Sequence, residues 1–142
     1  MSGSDIFGIV GSALAAQNAR MGAIASNLAN ADSITPPGAA PYRAHEVVFE
    51  AAPVVAPNGA ATADMGVQVA GAVQSNAPPV QKYDPSSPYA NAKGYVTGSN
   101  VSQVNEMVDL IDSSSSYSAS VAVLQQASRI DQQMLASFQV AP

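Results

Sequence analysis

The sequence predicts a mainly α protein: long N- and C-terminal helices forming a coiled-coil pair, with a small β or irregular domain inserted between them. Three observations carry that reading. Apart from the terminal Pro142, every proline lies between Pro36 and Pro88. The middle is therefore punctuated like loops and strands, while both flanks are free to run as helix. Near the N-terminus, Phe7, Val10, Leu14, Gln17, Met21, Ile24 and Leu28 follow at alternating steps of three and four. That is the seam of a coiled-coil helix, apolar except at Gln17. At the other end Met107, Leu110, Ser114, Tyr117, Val121, Leu124, Ser128, Asp131, Leu135 and Phe138 repeat the spacing. The expected division is an N-terminal helix over 1–35, an insert over 36–98 and a C-terminal helix over 99–142.

The first helix is expected from Asp5 to about Asn30, where Asp5 offers a carboxylate to the helix dipole. About 25 helical residues span roughly 38 Å, longer than a small domain needs. The flanks of its seam are Ala, Gly, Ser and Asn, small side chains that let a neighbour approach closely. Asn27, Asn30, Asp32 and Ser33 tolerate a left-handed end or a turn, and Pro36-Pro37 forbid continuation.

In the insert, Tyr42 to Phe49 reads as a strand with Arg43, His45, Val47 and Phe49 on one face. Ala51 to Asp64, rich in Ala, Pro and Gly, reads as a mobile loop. Gly66 to Val73 reads as a second strand, and Val80 to Tyr83 as a third, stopped by Asp84-Pro85. Lys93-Gly94-Tyr95 reads as a turn. The C-terminal helix is expected to start near Asn100 or Ser102. Asn100 with Gln103 three residues on is spaced like a capping box, and Glu106, Asp109 and Asp112 favour the early turns. The Ser113–Ser116 run forms helix poorly but admits a close partner.

Composition narrows the function. The 142 residues carry a net charge of −5, and the five cations (Arg20, Arg43, Lys82, Lys93, Arg129) are scattered, so a nucleic-acid-binding footprint is absent. The absence of cysteine removes disulfide and thiolate chemistry. No segment reads as a membrane span or a cleavable signal peptide. Either the cytoplasm or export by a route without such a signal fits. His45 is the lone histidine and reads as a structural strand residue, because nothing is spaced with it to bind zinc. The column Glu106, Asp109, Asp112 reads as a solvated helix face. No catalytic, cofactor-binding or metal-binding residue is expected. Gln17 and Asp131 on the seams are either register-setting polar positions or face a hydrated groove.

Two long seams with so few charges cannot be buried wholly by each other and a thin insert. Exposed apolar stripes mark association surfaces, and a head-to-tail contact that does not close propagates as a helical assembly. The sequence thus favours a polymer subunit, and its expected assembly interface is Val10, Leu14, Gln17, Met21, Ile24, Leu28, Asn30, Leu110, Tyr117, Val121, Leu124, Leu135 and Phe138. A helical binding protein forming a closed oligomer is the alternative from another class.

Several motifs carry a resemblance. Ala25-Ser26-Asn27-Leu28-Ala29-Asn30-Ala31-Asp32-Ser33 is similar to the motif that ends the N-terminal helix of bacterial flagellar axial proteins. Pro41-Tyr42-Arg43-Ala44, Val47-Val48-Phe49-Glu50, Gly66-Val67-Gln68-Val69, Tyr83-Asp84-Pro85, Ala92-Lys93-Gly94-Tyr95-Val96, Asn100-Val101 and Glu106-Met107-Val108-Asp109 resemble the short proximal-rod subunits of the flagellar basal body. The match runs in order over nearly the whole chain. It implies a structural, non-enzymatic rod subunit exported through the flagellar type III apparatus without a cleaved signal and assembled in the periplasm. Its implied partners are proximal and distal rod subunits, the adaptor at the export-gate ring, and copies of itself. No cofactor, nucleic acid or membrane insertion is implied; a distal-rod or hook-type axial subunit is the nearest alternative. The chain departs from the pattern at Ser99, where a proline is usual, and over Ser113 to Ser120, which puts particular inter-subunit salt bridges in question.

Overall fold

The computed structural model describes residues 3–55, 59 and 61–139. Helix α1 runs Gly3–Ala29 and helix α2 runs Gln103–Gln139, with five strands between them: β1 Ile34–Thr35, β2 His45–Val55, β3 Ala61–Gln74, β4 Gln81–Tyr83 and β5 Tyr95–Gly98. The strands form a three-stranded sheet ordered β1-β5-β4 and a two-stranded ribbon of β2 and β3. The mainly α fold with a β insert is therefore present. The side chain of Asp5 lies outside the described residues.

The chain folds as two compact units. The first comprises Met1–Ala19, Phe49–Ala70 and Ser113–Pro142, and the second Arg20–Val48 and Gly71–Asp112.

In the first unit the ribbon clasps α1. Ser12 Oγ donates to Ile9 O at 2.7 Å and accepts from the Val67 backbone N–H at 3.1 Å. Gly66 is buried there, and a Cβ added to it would stand 2.5 Å from Ser12 Oγ and 3.0 Å from Val54 Cγ2. Close approach, rather than turn geometry, is what requires glycine at this position. The segment read as a mobile loop is largely strand, since β2 continues to Val55 and β3 begins at Ala61. Its Ala, Pro and Gly composition is poor for an isolated strand, but cross-strand pairing and the α1 surface stabilise the ribbon.

In the second unit the small sheet is antiparallel, with Tyr83 opposite Tyr95, Lys82 opposite Val96 and Ile34 opposite Gly98. Val96 is 1% exposed and sits at its centre. The strand read from Tyr42 begins at His45, and from there the expected alternation is observed: His45, Val47 and Phe49 are half-buried while Glu46, Val48 and Glu50 are exposed. Ahead of it the order is reversed, with Arg43 exposed and Ala44 buried. The start of α2 differs from the expected capping box. Ser102 is the N-cap, its carbonyl accepting from Glu106 N at 3.0 Å and its hydroxyl from Asn105 N at 3.5 Å. Asn100 is drawn away, because its side chain satisfies backbone groups of two other segments.

Gly66→Ala should destabilise the protein by about 1–3 kcal/mol, the usual cost of forcing atoms into a filled contact. Denaturant unfolding reads this as a lower midpoint. An unchanged midpoint would contradict the clasp.

Candidate functional site

Two features of the second unit bear on function: a polar junction that ties four segments together, and an apolar helix face that nothing covers.

The junction is built on Asn27, the third residue from the end of α1 and 1% exposed. Its Oδ1 accepts from the His45 backbone N–H at 2.8 Å and from Tyr42 Oη at 3.1 Å. Its Nδ2 donates to His45 O at 2.9 Å and to Glu106 Oε1 at 3.0 Å. All four hydrogen-bonding positions of the amide are filled. The pair of bonds to His45 copies a strand-to-strand exchange and sets where β2 begins. His45 Nδ1 lies 3.2 Å from Tyr42 Oη, and its Nε2 lies 3.3 Å from Gln74 Nε2. Asn100 repeats the device one segment away. Its Oδ1 accepts from Ala44 N at 2.7 Å, and its Nδ2 donates to Ala77 O at 2.9 Å and Ser75 O at 3.3 Å. Ser99 Oγ donates to Ala31 O at 2.6 Å. Asn27 and Asn100 are thus bonding residues rather than the turn and cap residues that their local sequence suggests.

Burial raises the Glu106 carboxyl above its ordinary value of 4.5; the Asn27 amide pulls it down, and Asp109 and Glu46 push it up by repulsion. Asp109 meets Arg20 at 3.6 Å. With Asn27 on Glu106 and Arg20 on Asp109, the end of α1 and the start of α2 run in opposite directions within this unit.

These contacts give α2 an inverted face. The side carrying Glu106 and Asp109 is turned toward α1, whereas Val104, Met107, Val108 and Ile111 are 72, 53, 54 and 68% exposed. Over the whole helix the covered positions are Glu106, Asp109, Ser113, Tyr117, Ser120, Val121, Leu124, Ala127, Ser128 and Asp131. They form one stripe that recurs turn by turn at the α-helical period of about 3.6 residues, while the sequence seam steps at 3.5 and drifts off such a stripe by about 20° per heptad. The two coincide from Tyr117 to Asp131 and part company toward either end. Sequence periodicity therefore missed Val104, Val108 and Ile111; the signal that finds them is a 3.6-residue count.

The expected interface residues fall into two classes. Val10 and Ile24 are buried, and Leu14, Gln17, Met21, Leu28 and Asn30 are half-buried, as are Tyr117, Val121 and Leu124. In the first unit Phe7 and Leu124 line one recess with Ser128 and Gln132. Gln17 Oε1 and Ser113 Oγ, also in that unit, are buried without a hydrogen-bond partner among the described residues. Leu110, Leu135 and Phe138 are 36, 63 and 80% exposed. Among the described residues, no three acidic or histidine side chains are grouped to hold a metal ion, and no helix is long and apolar enough to cross a membrane.

Comparison with known proteins gives a consistent picture. Residues 9–36 match the family model described as flagella basal body rod protein. Residues 92–137 match the one described as flagellar basal body rod FlgEFG protein C-terminal. The chain is 52% identical over 120 residues to the flagellar basal-body rod protein FlgC of Escherichia coli O157:H7, covering 84% of this chain and 86% of that one. It is 51% identical, with the same coverage, to FlgC of Salmonella typhimurium strain LT2. To FlgC of Bacillus subtilis strain 168 it is 36% identical over 124 residues, covering 80% of this chain and 83% of that one.

The sign of the Glu106 shift makes a test. A carboxyl raised in the folded state adds stability below its ordinary pKa, and that stability is lost as pH rises through the folded value. At neutral pH the ionised, partly desolvated group is a cost. Glu106→Gln keeps an acceptor for Asn27 without the charge, so it should raise Tm at pH 7. The advantage should shrink toward zero as pH falls below 4.5. A lower Tm at pH 7 would contradict this balance.

Proposed function

The chain belongs to the FlgC family of flagellar basal-body rod proteins, and from that membership we propose that it stands in the proximal rod, in a tube that transmits motor torque. It is a structural subunit of the basal body, not an enzyme, and it assembles with other rod and basal-body proteins. The finer reading is ours. The helices over 1–35 and 99–142 form inner layers and complete coiled-coil contacts with neighbours, while the insert over 36–98 forms an outer domain. Neighbours are copies of itself, proximal and distal rod subunits and the adaptor at the export-gate ring. The chain reaches the periplasm through the type III route.

One observation supports this reading most: the apolar side of α2 faces outward. A helix that only had to pack on α1 would put Val104, Val108 and Ile111 inward. Covering each of them stands to contribute on the order of 1–2 kcal/mol, a contribution available only in an assembly. The expected interface then divides by task. Val10, Leu14, Gln17, Met21, Ile24, Leu28, Asn30, Tyr117, Val121 and Leu124 seat the helices. Leu110, Leu135 and Phe138 join Val104, Val108 and Ile111 in meeting neighbours. Brought against neighbours, α2 takes up the slight under-winding that a 3.5-residue seam needs.

Ile111→Asp should shift monomer stability by no more than about 0.5 kcal/mol, as for an exposed site, yet remove the chain from purified basal bodies and abolish swimming. Incorporation at the wild-type level with normal swimming would overturn the proposed interface.

A further inference from the structure

Residues 82–95 present aromatic and basic side chains that stay exposed. Tyr83, Tyr89 and Tyr95 are 64, 43 and 41% exposed. Lys82 and Lys93 are exposed as well. The loop joining β4 to β5 is nevertheless firmly built. Asp84 N donates to Gly94 O at 2.9 Å, and Asn91 Oδ1 accepts from Lys93 N at 2.9 Å and Tyr95 N at 3.1 Å. Gly94 takes φ +79°, and the Tyr83 and Tyr95 rings meet edge-on with centroids 5.3 Å apart. A loop this well bonded has already lost the conformational freedom that association would otherwise cost. Rigidly presented tyrosines are the side chains that dominate interface energetics.

Alternation along β4 and β5 puts Tyr83 and Tyr95 on one face of the sheet, and Lys82 and Val96 on the other. The Lys82 face lines a recess of about 360 Å3 with Val101 and Val104. The tyrosine pair and the recess thus lie on opposite sides of the sheet. Charge is complementary between the loop and α2. The loop joining β4 to β5 holds Lys93 and the single carboxylate of Asp84, whereas the first turns of α2 hold Glu106, Asp109 and Asp112. Asn27 occupies Glu106 and Arg20 occupies Asp109. Asp112 is exposed, with no ion pair among the described residues.

We propose that the tyrosine–lysine loop of one copy docks on the outward face of α2 in a second copy. Tyr83 and Tyr95 cover Val108 and Ile111, and Lys93 meets Asp112. The contact joins two different surfaces, so it repeats from copy to copy instead of closing a two-fold pair. It names the neighbour at the α2 face and rests on the reading of the chain as an assembling rod subunit.

The test places a photo-crosslinking amino acid at position 83 in cells and purifies their basal bodies. The expected product is two copies of this chain, joined at residues 104–112. Tyr95→Ala should lower its yield about tenfold, as for an interface hot spot. Lys93→Asp should lower it several-fold, and Lys93→Asp with Asp112→Lys should restore it. A crosslink to another basal-body protein, no crosslink, or no restoration by the double variant would overturn the proposal. Recovery of uncrosslinked chain in those basal bodies is scored separately: its presence without the crosslink leaves the rod reading standing, and its absence removes both.

Discussion

The four hydrogen bonds of the Asn27 side chain are the constraint on which the second unit depends. One buried amide fixes the last turns of α1, the approach through Tyr42, the first residue of β2 and the first turn of α2. An amide with every position filled tolerates one arrangement of its neighbours, because any other leaves a buried polar group unpaired at about 1–3 kcal/mol. The carbonyl and N–H of His45 are held by the same side chain, so β2 cannot slip by a residue without losing both. Asn100 then secures Ala44, Ser75 and Ala77 in the same manner.

Such a junction matters because the apolar core is thin. Val10, Ala16, Ile24, Ala44, Val96 and Val101 are the buried hydrophobic residues among those described, and none is larger than isoleucine. Small cores of this kind are permissive about register, and polar networks supply the uniqueness that bulk packing does not. The larger apolar side chains lie elsewhere. Val104, Met107, Val108 and Ile111 look outward from α2 while Glu106 and Asp109 look inward. A monomer arranged this way gives up stability that assembly can recover. That division suits a family whose members build a rod.

Much of this was legible in the sequence and some was not, for physical reasons. The proline-free flanks mark both helices, and the half-buried, exposed alternation from His45 to Glu50 is plain in the residues themselves. The clasp of Gly66 on Ser12 is not, since it joins residues 54 apart through a contact that glycine leaves no local trace of. Asn27 is read locally as a helix-ending residue because its partners lie up to 79 positions away. The α2 face is missed for a different reason: counting apolar residues presumes that the apolar stripe is the covered one, and here the covered stripe begins with Glu106, Asp109 and Ser113. Motif order along the chain pointed to the family even where the faces were misjudged.

Amide hydrogen exchange tests the central role of Asn27 most directly. The His45 N–H bonds to Asn27 Oδ1 and the Ala44 N–H to Asn100 Oδ1. If the junction holds the unit together, both amides exchange only through its full unfolding, with the same free energy as the Val96 amide at the centre of the sheet. Exchange at His45 as fast as at the exposed residues of β4 would contradict the account.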